Sequence, residues 1–140
     1  MSIFDRRFIA VKDSFSDWKE AVTYSGNLLL KERKIEKSYI DAMINNIEEI
    51  GPYILIAPKV AMPHSRPEHG VNEKGISVVV LKEPTYLGGN IEKEVKLIIC
   101  LAATDADSHL ELLKTVSTWL ADDTTRNKIM NAETEEALDE

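Results

Sequence analysis

Residues 76–81 read Ile-Ser-Val-Val-Val-Leu, and residues 95–101 read Val-Lys-Leu-Ile-Ile-Cys-Leu. Both runs are short, apolar and rich in β-branched side chains, a pattern typical of strands that are buried on both faces of a sheet. Pro84 and Gly88-Gly89-Asn90 lie between the two runs and predict turns. These two strands are the part of the sequence that decides the fold class, and the other elements are placed around them.

Upstream of the two runs, residues 7–11 (Arg-Phe-Ile-Ala-Val) predict a short first strand, and a helix follows it. Asp17 opens that helix, with Glu20 three residues later as its capping-box partner. Gly26 lies inside the helix, where it costs about 1 kcal/mol relative to alanine. Helical spacing predicts one buried face, made of Trp18, Ala21, Val22, Ser25, Leu28 and Leu29.

A second helix is predicted to start at Ser38, with Asp41 as its capping partner, and to stop at Gly51-Pro52. Residues 53–57 form another short apolar run. Residues 58–75 contain three prolines and are predicted to form a long irregular loop. Long ordered loops in small domains are usually functional, so this segment is the first place to look for a site.

Ser108 and Glu111 form a capping box that is predicted to open a third long helix, and two shorter helical pieces follow at 124–130 and 133–138. The apolar face of the long helix is Leu112, Leu113, Val116, Trp119 and Leu120. Nothing marks a domain boundary or a repeat. The order of elements indicates an α/β or α+β layered fold, and we expect a single domain over residues 1–140.

Composition excludes several functions. The chain has 24 acidic and 17 basic residues, a formal charge of −7, which disfavours binding to nucleic acid. There is no apolar run near ~18 residues, and Asp5 interrupts the amino terminus, so we expect neither a membrane span nor a signal peptide but a cytoplasmic protein. The one cysteine, Cys100, lies in a predicted strand and is expected to be buried and inert.

The loop at residues 61–71 reads Ala-Met-Pro-His-Ser-Arg-Pro-Glu-His-Gly-Val. Pro63 and Pro67 restrict the backbone on both sides of His64. Arg66 is a permanent cation two residues from the imidazole and can hold a phosphate oxygen. A nucleophilic imidazole needs such a setting, with a neutral ring and positive charge where anionic oxygens gather.

A second histidine, His109, is predicted to lie in the first turn of the helix that Ser108 opens. Free backbone N–H groups there, that of Ser108 included, could bind phosphate oxygens, and the positive end of the helix dipole would lower the pKa of the imidazole. If the loop at 102–107 brings this helix end near His64, the two rings could share a phosphoryl group.

Other readings stay open for these residues. His69 has the features of a solvent-exposed side chain, Arg66 could pair with Glu68 in a structural salt bridge, and His109 could be an ordinary helical residue. A metal site could draw on His64, Glu68, His69 and His109, but no His-x-x-x-His or Cys-x-x-Cys spacing supports one, so no metal is expected. There is no Gly-x-Ser-x-Gly elbow and no Walker loop, so neither serine catalysis nor nucleotide binding is expected.

Residues 51–68 (Gly-Pro-Tyr-Ile-Leu-Ile-Ala-Pro-Lys-Val-Ala-Met-Pro-His-Ser-Arg-Pro-Glu) resemble the signature of the type-2 (mannitol/fructose-like) enzyme IIA domains of the bacterial sugar phosphotransferase system (PTS). Gly70-Val71 and residues 81–84 (Leu-Lys-Glu-Pro) extend the resemblance to its ascorbate-specific branch. The resemblance covers nearly the whole chain. It implies the mannitol-type enzyme IIA fold, an α/β domain with a mixed sheet of about five strands flanked by helices.

The resemblance also implies a phosphotransferase function. The histidine matching His64 would accept a phosphoryl group from the phosphocarrier protein HPr and pass it to a cysteine of a IIB domain. That domain would phosphorylate a sugar, by this resemblance ascorbate, as the membrane IIC component imports it. The histidine matching His109 would support the phosphoryl group, Arg66 would stabilise its charge, and no cofactor is implied.

One departure qualifies the resemblance: position 65 is serine, where a glycine often follows the histidine in the family. Glycitol-specific relatives share the Pro-His core but lack the Arg66-Pro67 pair, so Arg66 favours the ascorbate branch. An alternative function keeps the same chemistry: a regulatory phosphoacceptor module, phosphorylated on His64, that controls transcription or another enzyme. A plain binding domain with an idle His64 would take up no phosphate at all.

Overall fold

A single mixed sheet forms the centre of the computed structural model, which describes residues 6–50 and 55–138. The strands within those ranges are β1 (Ile9–Lys12), β2 (Leu55–Ala57), β3 (Lys59–Ala61), β4 (Gly75–Tyr86) and β5 (Glu94–Ala102). Their order across the sheet is β1-β4-β5-β3-β2. The pairs β1–β4 and β3–β5 are parallel, whereas β4–β5 and β2–β3 are antiparallel.

Helices cover both faces of this sheet. They are α1 (Trp18–Leu30), α2 (Lys37–Ile50), α3 (Ala106–Ala121), α4 (Asp123–Met130) and α5 (Glu135–Leu138). The buried side chains of α1 and α2 form one core cluster with one face of the sheet, and those of α3, α4 and α5 form a second cluster with the other face. The predicted α/β class, with a mixed sheet flanked by helices in one domain, is confirmed.

In the central strands, successive side chains point to opposite faces of the sheet and are buried in the two different cores. In β4, Val79 and Leu81 belong to the α1–α2 core, whereas Val78 and Val80 belong to the other. All four are no more than 1% exposed, as expected for a strand with apolar layers on both sides. The predicted strands are therefore confirmed. The turn predicted at Pro84 is wrong, because β4 continues through it.

The first helix follows its sequence signals closely. Asp17 is the N-cap, its Oδ1 accepts from Glu20 N at 2.9 Å, and every residue of the predicted apolar face is buried. The Glu20 side chain accepts from Ser16 Oγ instead of closing the predicted capping box. Gly26 is buried, and a Cβ there would lie 2.6 Å from Ile40 Cγ1, so this glycine permits the close approach of α1 and α2.

Residues 58–75 depart from the predicted loop, because β3 and a short 3-10 helix (Pro67–His69) lie within them. The second helix also differs from its prediction. It starts at Lys37, Ser38 Oγ donates to the backbone oxygen of His69 at 2.7 Å, and Asp41 pairs with Lys37. The Ser38 hydroxyl, which was predicted to cap α2, therefore forms a hydrogen bond that holds the loop following His64. The stop signal Gly51-Pro52 lies outside the described residues.

Candidate functional site

The site is formed where two parallel strands end at the same edge of the sheet. Since β3 and β5 run in the same direction, the segments that follow them emerge side by side, the usual place for a site in such sheets. His64 follows β3, and His109 lies on α3, which follows β5. The centres of the two imidazole rings are 5.5 Å apart, with 48° between the ring planes. The predicted meeting of the two histidines is thus present in the structure.

The protonation of His64 can be read from its hydrogen bond. Its Nδ1 lies 2.8 Å from the backbone oxygen of Met62. A carbonyl oxygen can only accept, so Nδ1 carries the proton, and in the neutral ring Nε2 is left with its lone pair. The side chain is half-buried and lines a cleft. In its neutral form His64 therefore presents an unprotonated Nε2 in a fixed tautomer, the form in which an imidazole acts as a nucleophile.

His109 is also half-buried and faces the same cleft. Burial lowers the pKa of His109 below its usual value of 6.5, and a positive charge on His64 lowers it further. The main cause is thus loss of solvation, whereas the sequence had suggested the helix dipole. A ring that stays neutral near pH 7 can donate one hydrogen bond without repelling His64.

The helix that carries His109 begins earlier than predicted. Its N-cap is Asp105, whose Oδ1 accepts from Ser108 N at 2.7 Å, while Ser108 Oγ accepts from the backbone N–H groups of Thr104 and Asp105 at 3.1 Å. Ser108 is therefore the third residue of the helix, buried, with its N–H already bonded. The prediction that the Ser108 backbone offers a free N–H to phosphate is wrong. Likewise, His109 N donates to Asp105 O as an ordinary helical residue.

Arg66 lies at the rim of the cleft with its side chain 80% exposed. Its Nη1 is 3.8 Å from Glu68 Oε1, so the alternative salt bridge is present as well. An exposed ion pair at this distance contributes little stability, in the range of about 0–1 kcal/mol. The guanidinium can therefore turn toward an anion in the cleft at small cost.

Sequence reasoning missed the polar groups on α2 that hold the loop. The Tyr39 hydroxyl accepts from Ser65 N at 2.9 Å, and Asn46 Nδ2 donates to Ser65 Oγ at 3.0 Å. The same serine oxygen lies 2.6 Å from His69 Nδ1, so His69 is exposed but not idle. No local pattern marks Tyr39 or Asn46 as site residues, because their role depends on how α2 packs against the loop.

The cleft itself has a volume of about 670 Å³ and joins the loop after β3 to the start of α3. Its lining comprises Asn46, His64, Ser65, Arg66, Pro67, His69, Ala103, Asp105, Ala106 and His109. Within residues 6–50 and 55–138, no three His, Cys, Asp or Glu side chains form a group that could hold a metal ion. In the same ranges no helix has both the length and the apolar character needed to cross a membrane.

Comparison with known proteins agrees with this geometry. The family described as "Phosphoenolpyruvate-dependent sugar phosphotransferase system, EIIA 2" matches residues 2–140. The mannitol-specific cryptic phosphotransferase enzyme IIA component of Escherichia coli (strain K12) is 37% identical over 135 residues, 96% of this chain and 91% of that protein. A solution structure of that component from Escherichia coli has a TM-score of 0.87 at 36% identity, covering 96% of this chain and 90% of that one.

Two further comparisons involve proteins whose descriptions name a sugar or a partner. The ascorbate-specific PTS system EIIA component of Escherichia coli (strain K12) is 37% identical over 111 residues, 79% of this chain and 72% of that protein. A complex of enzyme IIAMTL and phosphorylated enzyme IIBMTL from Escherichia coli contains a chain of the same fold, with a TM-score of 0.82 at 19% identity, covering 96% of this chain and 93% of that one. At that identity the likeness concerns the fold alone.

Proposed function

Because the chain belongs to the EIIA 2 family of the phosphoenolpyruvate-dependent sugar phosphotransferase system, we propose that His64 is the residue on which it carries the phosphoryl group. Enzyme IIA components of this system are phosphotransferases with a phosphohistidine intermediate, and this chain is one of them. The sequence contains three histidines, so the acceptor has to be His64, His69 or His109.

One observation carries the choice of His64. The bond from its Nδ1 to the Met62 carbonyl at 2.8 Å fixes the proton on that nitrogen and leaves Nε2 as the nucleophile. His69 is exposed, and its Nδ1 is engaged with Ser65 Oγ at 2.6 Å. His109 lies on a regular helix, where its backbone is held by Asp105, and is better placed as a neighbour of the acceptor.

In the proposed reaction, the lone pair of His64 Nε2 attacks the phosphorus of the phosphohistidine on HPr. The new N–P bond forms as the old one breaks, and the HPr imidazole keeps the electron pair of the broken bond. The transition state is loose, with negative charge on the three equatorial oxygens. Arg66 and His109 offset this charge, whereas Ser108, whose N–H is bonded to Asp105, has no part in the proposal.

The Met62 carbonyl has a second role after transfer. Phosphorylation at Nε2 places positive charge on the imidazole, and the Nδ1–H bond to this carbonyl stabilises that charge. In the second step the thiolate of a IIB cysteine attacks the same phosphorus, and the electrons of the N–P bond return to Nε2. His64 is then restored in its starting tautomer, ready for another cycle.

The partners and location follow from this route. We expect the chain to act in the cytoplasm between HPr and a IIB domain, with the membrane IIC component as an indirect partner and no cofactor. Phosphorylation of the sugar would take place downstream of the cleft, so the cleft does not select the sugar. Ascorbate stays a prediction, because the mannitol-type and ascorbate-type relatives are both 37% identical to this chain, over 135 and 111 residues respectively.

The test is phosphorylation in a reconstituted system. The protein mixed with enzyme I, HPr and labelled phosphoenolpyruvate should become labelled, and the label should be labile to acid. His64→Gln, verified as folded by circular dichroism, should take up none. His69→Gln, a change on the same loop, should still be labelled. Persistent labelling of His64→Gln would exclude His64 as the acceptor.

Transfer of the label identifies the physiological acceptor. IIB domains of the ascorbate and mannitol systems can be offered to the purified phosphorylated protein. Rapid loss of label to the ascorbate IIB, and slow loss to the mannitol IIB, would support the ascorbate assignment. Stable label with every IIB domain would contradict the transport role and favour the regulatory alternative.

A further inference from the structure

The ladder of hydrogen bonds between β3 and β5 continues beyond the last strand residue and is interrupted at His64. The register pairs Ala61 with Ile98, which places His64 opposite Leu101 three residues further on. In a parallel pair, Leu101 would bond to both neighbours of His64. Its N–H does donate to Pro63 O at 3.0 Å. The matching bond, from Ser65 N–H to Leu101 O, is replaced by a side chain.

That side chain is Tyr39. Ser65 N donates to the Tyr39 hydroxyl at 2.9 Å, and the hydroxyl donates to Leu101 O at 2.6 Å. The hydroxyl also lies 3.3 Å from Ser65 O, but it has one proton, and the shorter bond takes it. In a regular ladder Ser65 N would donate directly to Leu101 O. Here the Tyr39 hydroxyl lies between these two atoms and is hydrogen-bonded to both.

The inserted oxygen is held rigidly. Tyr39 is fully buried, and its ring belongs to the core between α1, α2 and the sheet. Buried polar atoms of this kind are bonded because an unmade bond there costs about 1–3 kcal/mol. The spacing between the chain at Ser65 and β5 is therefore set by the packing of Tyr39 in the core.

We infer that Tyr39 is a positioning residue: its hydroxyl wedges the backbone after His64 away from β5, so that the imidazole stands over the cleft with Nδ1 on the Met62 carbonyl. The inference rests on the proposed function of His64. It concerns geometry rather than chemistry, since Tyr39 is buried and does not line the cleft. Without the wedge, Ser65 N–H and Leu101 O would close directly and draw His64 toward the sheet.

The test variant is Tyr39→Phe, which removes the oxygen and keeps the ring. Single-turnover transfer from phosphorylated HPr should slow by about 10–100-fold, the scale for a displacement near 1 Å. The concentration of HPr giving half-maximal rate should change by less than about twofold, because the docking surface is untouched. A rate within about twofold of wild type would overturn the inference.

Two controls separate positioning from general loss of stability. Ser77→Ala removes another buried hydroxyl, whose Oγ donates to Ser25 O at 2.7 Å away from the cleft. Tyr24→Phe removes a hydroxyl from a partly buried tyrosine packed against the same core. Both variants should transfer phosphate at rates near that of wild type. Equal slowing in Ser77→Ala and Tyr39→Phe would assign the effect to stability and contradict the wedge.

A measurement on the unphosphorylated protein distinguishes failure of this inference from failure of the proposed function. Nitrogen-15 signals of His64 should report protonation at Nδ1 in wild type and a mixture of tautomers in Tyr39→Phe, and no change in these signals would refute the wedge. If wild type shows the fixed tautomer but never takes up phosphate, only the proposed function fails. If Tyr39→Phe does not fold, 3-fluorotyrosine at position 39 should shift the Ser65 amide signal, and an unchanged signal would refute the wedge.

Discussion

Asp105 links the stability of the protein to the placement of His109, and its replacement by alanine is the most informative perturbation. The carboxylate accepts from Ser108 N at 2.7 Å and so closes the capping box at the start of α3. Loss of an N-cap of this kind lowers the free energy of unfolding. For a chain of this length we expect a fall in Tm of roughly 3–4 °C.

Asp122→Ala is a matched control. Asp122 is the N-cap of α4, where its side chain accepts from Thr125 N in the same way, but it does not line the cleft. We expect both variants to lose similar stability in chemical denaturation. Only Asp105→Ala should alter the titration of His109 in NMR, because Asp105 caps the first turn of the helix that carries His109, whereas Asp122 caps α4.

The pH dependence of stability provides a second readout. The hydrogen bond from the Ser108 backbone, and then that from its side chain, lower the pKa of Asp105 below its usual 3.8. The folded state therefore binds fewer protons than the unfolded state, so this stabilisation is complete above the unfolded pKa and is lost as pH falls through the lowered folded pKa. Asp105→Asn keeps a capping oxygen but does not titrate, so its free energy of unfolding relative to wild type should improve only in acid.

Either of two results would contradict a role for Asp105 in both stability and the placement of His109. One is a free energy of unfolding for Asp105→Ala that equals that of wild type at pH 7, which would mean that the capping bonds contribute nothing. The other is an identical change in His109 titration in Asp105→Ala and Asp122→Ala, which would mean that the first turn of α3 does not position the ring.

The packing and the charges give four further predictions. His109→Ala should still accept phosphate but lose it about 10–100-fold faster, the loss expected for one hydrogen bond to a charged group; an unchanged phosphohistidine lifetime would leave His109 a structural residue. In wild type, His109 should titrate below pH 6.5, and in His64→Gln its pKa should rise toward that value because the second cause of its lowering is gone. Gly26→Ala should lower the free energy of unfolding by up to about 2 kcal/mol, because overpacking against Ile40 outweighs the gain in helix propensity. Chemical denaturation curves would measure this change. An increase in the free energy of unfolding would mean that the Ile40 side chain moves aside freely. Cys100, whose pKa burial raises to about 12, should resist thiol reagents at pH 8 until the protein unfolds, and rapid labelling would contradict its burial.

The sequence predicted the layers of the fold better than the details of the site. The α1 face, the two central strands and the flanking helices follow from periodicity, because burial on a sheet imposes those spacings directly. β3 was missed because three residues between two prolines carry no periodic signal. Once β3 is known to run parallel to β5, the meeting of His64 and His109 follows from topology.

The start of α3 shows where local patterns fail. Asp105 with Ser108, and Ser108 with Glu111, are both acceptable capping pairs three residues apart, and the sequence alone does not choose between them. In the structure, Ser108 Oγ is placed to accept from Thr104 N, just beyond the end of β5. The end of the strand thus selects the earlier cap, and this moves Ser108 from the helix entrance to its interior.

The wedge at Tyr39 also bears on the order of events during protein synthesis. Tyr39 and Leu101, whose hydrogen bond is proposed to position His64, are 62 residues apart in the chain. A ribosome exposes the loop long before it has made β5 or the helix that carries the second imidazole. If His64 is the acceptor, as proposed, the nascent chain carries it in an unorganised form until β5 and α3 have packed onto the earlier elements. On that proposal, phosphate uptake would report completed folding, because the site forms only after these elements have packed.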